Sequence, residues 1–228
     1  DAAERLATNG LRRGQVAVIG AGFSGLGAAQ ALSQAGYEVT VIEARERVGG
    51  RVHTDRRLGL PLDIGASWIH GTRGNPLSRL ARSRGVDWVN TDYDSGVLRD
   101  VRGQRRRLYG GPDWLYQIAE VQHAFGADTD QLGREAYTEG AWYGGPDAVI
   151  PAGYDQLIPA LAGNYRLLTG LPVTRIDHGP AGVSITAADG STARFEAAVV
   201  TVPLGVLKAG SIAFTPALPD WKQDAIDR

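Results

Sequence analysis

Three stretches of this 228-residue chain have the residue types and spacing to do chemistry. Gly20-Ala21-Gly22-Phe23-Ser24-Gly25 has the spacing G-x-G-x-x-G, and Arg45-Glu46-Arg47-Val48-Gly49-Gly50-Arg51 follows with a glycine pair and a fixed cation. In the first stretch Gly20 permits a tight turn and Gly22 lets a diphosphate approach the backbone without meeting a side chain. Gly25 lets a helix pack closely on the preceding strand. The N–H groups of the first helical turn, near Ser24, then face the anion. Glu43, 18 residues after Gly25, stands where a carboxylate accepts hydrogen bonds from ribose hydroxyls. Its charge repels a 2′-phosphate and argues against NADP. Arg51 adds a guanidinium of bidentate geometry suited to a diphosphate. The third stretch, Gly65-Ala66-Ser67-Trp68-Ile69-His70-Gly71, reads as a loop at a strand end, the usual place for a site in an open α/β sheet. Histidine both gives and takes protons near neutral pH, which permits an acid–base role for His70 without showing one; the plainer reading is a ring satisfied by a neighbour.

The elements that must position these residues are legible at the N-terminal end. Gln15-Val16-Ala17-Val18-Ile19 is a short apolar run ending at Gly20 and reads as a strand buried on both faces. Leu26, Ala29 and Leu32 recur at helical spacing up to a stop at Gly36, and Glu38 to Glu43 forms a second strand. Residues 15–43 thus make one βαβ unit, the start of a doubly wound parallel sheet. Further on, a helix is expected over Pro76 to Ser83, a polar stretch over 87–107, mostly helical chain over 112–139, and a short helix near Tyr154 to Ala162. Four short strands follow, at Pro172 to Ile176, Gly182 to Ala187, Ala193 to Phe195 and Ala198 to Val202, separated by Gly179-Pro180 and Asp189-Gly190 turns.

Composition removes several function classes. A net charge of -1 gives no basic field for nucleic acid, and zero cysteines exclude disulfides, thiolate catalysis and cysteine-ligated metals. No window approaches the roughly 18 apolar residues of a membrane span. His53, His123 and His178 lack metal-ligand spacing and read as surface or packing residues; Arg105-Arg106-Arg107, flanked by Asp100 and Asp113, reads as a solvated turn. Arg outnumbers Lys 22 to 2, the bias of a GC-rich bacterial genome. Asp1 in the first position and zero Met point to a chain cut from a longer one.

Taken together, the blocks resemble the flavin-containing amine oxidases, which include monoamine oxidases, polyamine oxidases and flavin-dependent histone demethylases. The resemblance rests on the glycine turn, on Val41-Ile42-Glu43-Ala44-Arg45 running to Gly50-Arg51, and on Asp63-Ile64-Gly65-Ala66-Ser67-Trp68-Ile69-His70-Gly71. It continues in Pro151-Ala152-Gly153-Tyr154, Leu171-Pro172-Val173, Val200-Thr201-Val202-Pro203-Leu204-Gly205-Val206-Leu207 and Phe214-Thr215-Pro216-Ala217-Leu218-Pro219. It implies FAD rather than NAD. Glu43 would hold the adenosine ribose and Arg51 the diphosphate and ribityl region. Gly65, Ala66, Ser67 and Trp68 would run along the flavin and Val173 would offer its backbone to adenine. Arg45, Gly50 and Pro203 lie within matching cofactor blocks. Trp68-Ile69-His70-Gly71 has the form seen in animal-type polyamine oxidases, where this histidine faces the substrate channel.

The resemblance also implies a reaction: hydride transfer from the carbon beside a neutral amine to flavin N5, imine hydrolysis to an aldehyde, and reoxidation by O2 to hydrogen peroxide. The partners so implied are a small-molecule amine and O2, without nucleic acid or membrane. A lysine near flavin N5 and a C-terminal flavin-covering block of the family would fall beyond Arg228, so a second chain or further C-terminal segment is expected to complete the flavin site. The fold expected is α/β, a doubly wound Rossmann-like FAD-binding domain of glutathione-reductase type with an inserted, shortened substrate domain. Its parts would be 12–91 with 156–204 for FAD, and 92–155 with 205–228 for substrate. Two other readings stay open: a non-catalytic FAD- or ADP-binding module, and another flavoenzyme of the same fold such as a desaturase or protoporphyrinogen oxidase.

Overall fold

The run Gln15–Ile19 is buried at all five positions, because it is a central strand covered on both faces. The computed structural model describes residues 14–92, 98–106, 122, 125–133 and 142–227. In chain order the strands are β1 (Gln15–Ile19), β2 (Glu38–Ile42), β3 (Thr54–Asp55), β4 (Leu62–Asp63), β5 (Trp68–Ile69), β6 (Val89–Asn90), β7 (Leu98–Arg99) and β8 (Arg105–Arg106). They continue as β9 (Ala148–Val149), β10 (Arg166–Leu168), β11 (Val173–Gly179), β12 (Gly182–Ala187), β13 (Thr192–Phe195), β14 (Ala197–Val200) and β15 (Ala213–Thr215). The α-helices are α1 (Phe23–Gln34), α2 (Pro76–Ser83), α3 (Leu204–Lys208) and α4 (Asp220–Asp227). Shorter 3₁₀ segments occupy Thr129–Gln131 and Tyr154–Leu161.

Two compact units result. The first comprises Asp1–Ser67, Leu80–Asp87 and Ile150–Arg228, and the second Trp68–Arg79 and Trp88–Val149. The first is built on a parallel sheet of order β10-β2-β1-β14 and a second sheet of order β13-β12-β11-β15. Alternation along β1 divides its side chains between two cores, as the period of two along a strand requires. Ala17 and Ile19 join Ile42, Ile176, Ile185 and Phe195 on the side of the second sheet. Val18 joins Val39, Val41, Leu26, Ala29 and Leu161 on the side of α1. The unit is therefore layered as helix, parallel sheet, second sheet, the α/β Rossmann-like class that the βαβ reading anticipates.

Two details differ from expectation. The last of the four short strands leaves its neighbours: β14 pairs in parallel with β1, from Val16–Ala197 to Ile19–Val200, while β11, β12 and β13 form the antiparallel part of the second sheet. The segment expected as a short helix after Gly153 is 3₁₀ over Tyr154–Leu161 and carries Pro159, which cannot donate an α-helical hydrogen bond. Residues 205–227 lie in the first compact unit, where β15 pairs with β11. Arg107, His123 and most of 112–139 lie outside the described residues. In the second unit β5, β9 and β6 form a small antiparallel sheet and β7 pairs with β8. Among the described residues no helix is long and apolar enough to cross a membrane.

The glycine at 25 is a packing requirement. A Cβ there would lie 1.9 Å from the Gly20 carbonyl oxygen and 2.8 Å from Thr201 Oγ1. At Gly27, two residues along the same helix, a Cβ would meet nothing within 4 Å. Gly25→Ala is expected to destabilise the fold by about 1–3 kcal/mol, whereas Gly27→Ala should stabilise it by about 0.5–1 kcal/mol. Urea unfolding of both variants checks the pair, and equal midpoints would contradict the close approach of α1 to the β1 turn.

Candidate functional site: a dinucleotide cradle and a His–Asp pair

Three of the proposed cofactor residues of the first unit follow the carboxyl ends of its parallel strands: Gly20 after β1, Glu43 after β2 and Pro203 after β14. In open α/β sheets this rim is where ligands bind. Gly20 turns the chain with φ +104°, a left-handed value that favours glycine. The first helical bond of α1 runs from the Leu26 N–H to the Gly22 carbonyl, and no side chain caps the helix. The preceding N–H groups, including that of Ser24, thus have no partner within the helix and are oriented for an anion.

The second glycine turn lies directly against the first. The Gly49 N–H donates to the Ala21 carbonyl at 2.8 Å, Gly22 and Gly49 form a parallel bridge, and a Cβ on Gly50 would lie 3.0 Å from Gly22 Cα. Gly49 and Gly50 both have positive φ, at +95° and +59°. Gly22 itself has ordinary extended backbone, and a Cβ built on it would meet nothing nearer than 3.9 Å. Packing therefore leaves room for a side chain at Gly22, and its absence keeps the backbone open to a ligand. These features fit a dinucleotide diphosphate.

Glu43 is buried, at 8% exposure, and its carboxylate is already engaged. Oε2 accepts the Ala21 N–H at 2.7 Å and Oε1 accepts the Arg45 N–H at 2.9 Å. A carboxylate has about four acceptor positions, so two remain for ribose hydroxyls. Arg45 is exposed, and its carbonyl accepts the Gly170 N–H at 2.9 Å. The Glu43 carbonyl accepts the Leu171 N–H at 2.9 Å, which brings the chain leading to the buried Val173 alongside the acid.

Arg51 is exposed, and its backbone carbonyl accepts the Ala66 N–H at 3.1 Å. Gly65 is needed for that contact, because a Cβ would lie 1.8 Å from the Arg51 carbonyl oxygen. Ser67 Oγ donates to the Gly65 carbonyl at 3.0 Å. Arg51, Gly65, Ala66 and Ser67 are thus brought together by the ladder that pairs β3 with β4. Pro203 is exposed at the start of α3.

Sequence reasoning gave no role to two residues that hold this arrangement. Thr201 Oγ1 donates to the Ile19 carbonyl at 2.9 Å and lies against the glycine turn. Asp63 accepts Thr54 Oγ1 at 2.6 Å and the Tyr154 N–H at 3.0 Å, and so joins β3, β4 and the Pro151–Tyr154 block. Arg56 closes the same block with a bidentate pair to Asp155, at 2.7 and 2.8 Å, and hydrogen bonding to that guanidinium lowers the Asp155 pKa. Burial, then the Asp63 charge, pushes the Tyr154 phenol up to about 12, so it is a neutral wall near Phe23.

Trp68 and His70 belong to the second unit. Trp68 is half-exposed and pairs with Val149 across the β5–β9 ladder. His70 Nδ1 lies 2.7 Å from Asp147 Oδ2, and Asp147 Oδ1 accepts the Gly71 N–H at 2.7 Å. No sequence pattern links positions 77 apart, so this partner was not anticipated. His178 Nε2 is 3.0 Å from the Pro216 carbonyl. Among the described residues no group of three metal-binding side chains occurs.

The fold and the cradle define a dinucleotide-binding α/β protein. The chain matches the family described as flavin containing amine oxidoreductase over residues 23–130 and 116–228. It is 33% identical to polyamine oxidase 4 of Oryza sativa subsp. japonica, over 92% of this chain and 55% of that protein. It is 32% identical to polyamine oxidase 2 of Arabidopsis thaliana, over 99% and 58%, and 32% identical to the Arabidopsis protein FLOWERING LOCUS D, over 95% and 34%. The chain belongs to the flavin-containing amine oxidoreductase family, and its cofactor is FAD. It spans little more than half the length of the two polyamine oxidases. The alignment with the rice protein covers 270 positions, more than this chain's 228 residues, so that relative carries stretches this chain lacks. These plant relatives do not bear on the bacterial origin expected from the arginine bias.

Glu43 is a strut before it is a ligand. Glu43→Ala strands the Ala21 and Arg45 N–H groups and is expected to destabilise cofactor-free protein by about 1–3 kcal/mol. Glu43→Gln, which keeps one acceptor, should lose less. Denaturant unfolding without added flavin checks the order, and an unperturbed Glu43→Ala midpoint would contradict it.

Proposed function

We propose that the protein carrying this chain is an FAD-dependent oxidase of amines, of the polyamine type. The observation that carries this reading is the apposition of Gly22 with Gly49 and Gly50 beside the Glu43 carboxylate, within a chain of this family. The resemblance of the relatives named polyamine oxidases, and the histidine of Trp68-Ile69-His70-Gly71, support the choice of substrate class.

Gly20, Gly22, Ser24, Gly25 and Gly50 cradle the diphosphate, with Arg45 and Arg51 as exposed cations. Glu43 turns its two unused acceptor positions to the adenosine ribose, and Val173 offers backbone to adenine. Gly65, Ala66, Ser67 and Trp68 would run along the flavin, and Pro203 would belong to the same cofactor site. Residues 12–91 with 156–204 serve the cofactor, and 92–155 with 205–228 serve the substrate. A segment outside these residues, or a second chain, completes the flavin site.

FAD, when bound, would supply the two-electron oxidation of the carbon beside the amine nitrogen, with O2 as the terminal acceptor and hydrogen peroxide as its product. The chain's own residues bind and orient the amine. Amines of this class are protonated at neutral pH, with reference values near 10. Loss of hydride from the adjacent carbon needs the nitrogen lone pair, so the site must receive the ammonium and hold the free amine. His70 is the residue for that task. The resulting imine hydrolyses to an aldehyde.

The test is the flavin spectrum of the purified protein during anaerobic titration with spermine or a monoamine. The expected result is an oxidised-flavin spectrum that bleaches with amine and returns with air, releasing peroxide. A flavin spectrum that no amine bleaches would contradict an oxidase and leave an FAD-binding module. A colourless protein that takes up no added FAD would contradict the cofactor reading.

A further inference from the structure

Around His70 the second unit is built more tightly than an exposed histidine needs. The side chain of His70 is 68% exposed, while that of Asp147 is 22% exposed. An exposed pair of this kind adds little to stability. Yet the backbone on both sides is fixed by a set of hydrogen bonds. The Thr72 N–H donates to the Pro146 carbonyl at 3.1 Å and the Arg73 N–H to the Gly144 carbonyl at 2.7 Å. The Thr91 N–H and hydroxyl both donate to the Asp147 carbonyl, at 2.8 and 3.1 Å. Asn75 Nδ2 donates to the His70 carbonyl at 3.0 Å. Gly71, with φ +68°, lets the two stretches meet, since a Cβ there would lie 2.0 Å from the Tyr143 carbonyl oxygen.

We propose that Asp147 is a positioning residue for His70, holding the imidazole proton on Nδ1 so that Nε2 takes a proton from an incoming alkylammonium group. The proposal rests on the reading of His70 as the residue that meets the amine. An ionised carboxylate only accepts hydrogen bonds, so the ring nitrogen facing Asp147 must carry hydrogen. In a neutral ring Nε2 is then the acceptor, on the more exposed part of the pair. The step balances: the N–H bond of the ammonium breaks, an Nε2–H bond forms, and the products are a neutral amine and an imidazolium. The Asp147 carboxylate faces that new positive charge and stays ionised. The exposed ring returns the proton to water. A carboxylate that orients a histidine in this way fixes the tautomer, as second partners of catalytic histidines do in general.

Asp147→Asn separates this role from simple support of the loop. Its amide oxygen can still accept the Gly71 N–H, while its NH₂ group must donate to Nδ1 and so moves the ring proton to Nε2, where it blocks acceptance. Two measurements on the intact protein read the outcome: ¹⁵N chemical shifts of the labelled His70 ring, and kcat/KM for spermine. The expected result is an Nδ1–H ring in the parent and an Nε2–H ring in Asp147→Asn, with kcat/KM reduced roughly 10²-fold. In a His70→Ala background the same substitution should change kcat/KM by less than about twofold, because the two residues act as one unit. Unchanged ring shifts in Asp147→Asn, or an equal loss in both backgrounds, would overturn the proposal. Ring shifts that move while His70→Ala keeps full kcat/KM would instead overturn the amine-facing role of His70, leaving Asp147 only as its tether.

Discussion

The first unit depends on backbone meeting backbone without side chains between. Gly22 and Gly50 approach until a single added carbon on Gly50 would fall 3.0 Å from Gly22 Cα, and Gly25 stands against the Gly20 carbonyl in the same way. Such contacts need something to hold the two turns in register, and Glu43 does so from the end of β2. Burying a carboxylate costs free energy unless its oxygens are satisfied, and the Ala21 and Arg45 N–H groups satisfy them with charge-assisted bonds. The acid that a nucleotide would recognise is therefore also the residue that ties the glycine turn to the strand beside it. The surface proposed for the cofactor is thus shaped by contacts within the chain itself.

Much of this was legible in the sequence because it is local. Residues 15–43 carry strand, turn, helix, strand and acid in one continuous span, and each element follows from apolar runs, glycine positions and spacing. Residues whose role depends on distant partners were not legible. Thr201 reaches a turn about 180 positions earlier, Asp63 binds the backbone of Tyr154, and Asp147 meets His70. Aspartate before a short strand carries no pattern that separates it from a solvated loop residue. The change of sheet at β14 was hidden for a related reason. Its Ala197–Val200 run reads like its neighbours, and only the pairing with β1 assigns it to the parallel sheet. Local periodicity also does not distinguish 3₁₀ from α geometry in Tyr154–Leu161.

The two units use comparable devices for different ends. In the first, glycines remove side chains so that a ligand can approach peptide groups. In the second, Gly71 lets two strand-like stretches close, and the closure places a carboxylate on an imidazole. Family membership adds the flavin, and the residues proposed to meet it lie at these geometric features. Asp63 and Arg56 extend the same logic outward, since both fasten the Pro151–Tyr154 block to the β3–β4 hairpin, whose ends lead to Arg51 and Gly65.

FAD affinity in Gly22→Ala tests most directly whether the diphosphate rests on the Gly22 backbone. A Cβ at this position meets nothing nearer than 3.9 Å within the chain, so the variant should fold with the stability of the parent. If the Gly22 backbone is the surface on which the diphosphate rests, FAD affinity should fall roughly 10–200-fold, the cost of a misplaced methyl group in a fitted site. Parental FAD affinity in a folded Gly22→Ala protein would contradict the account.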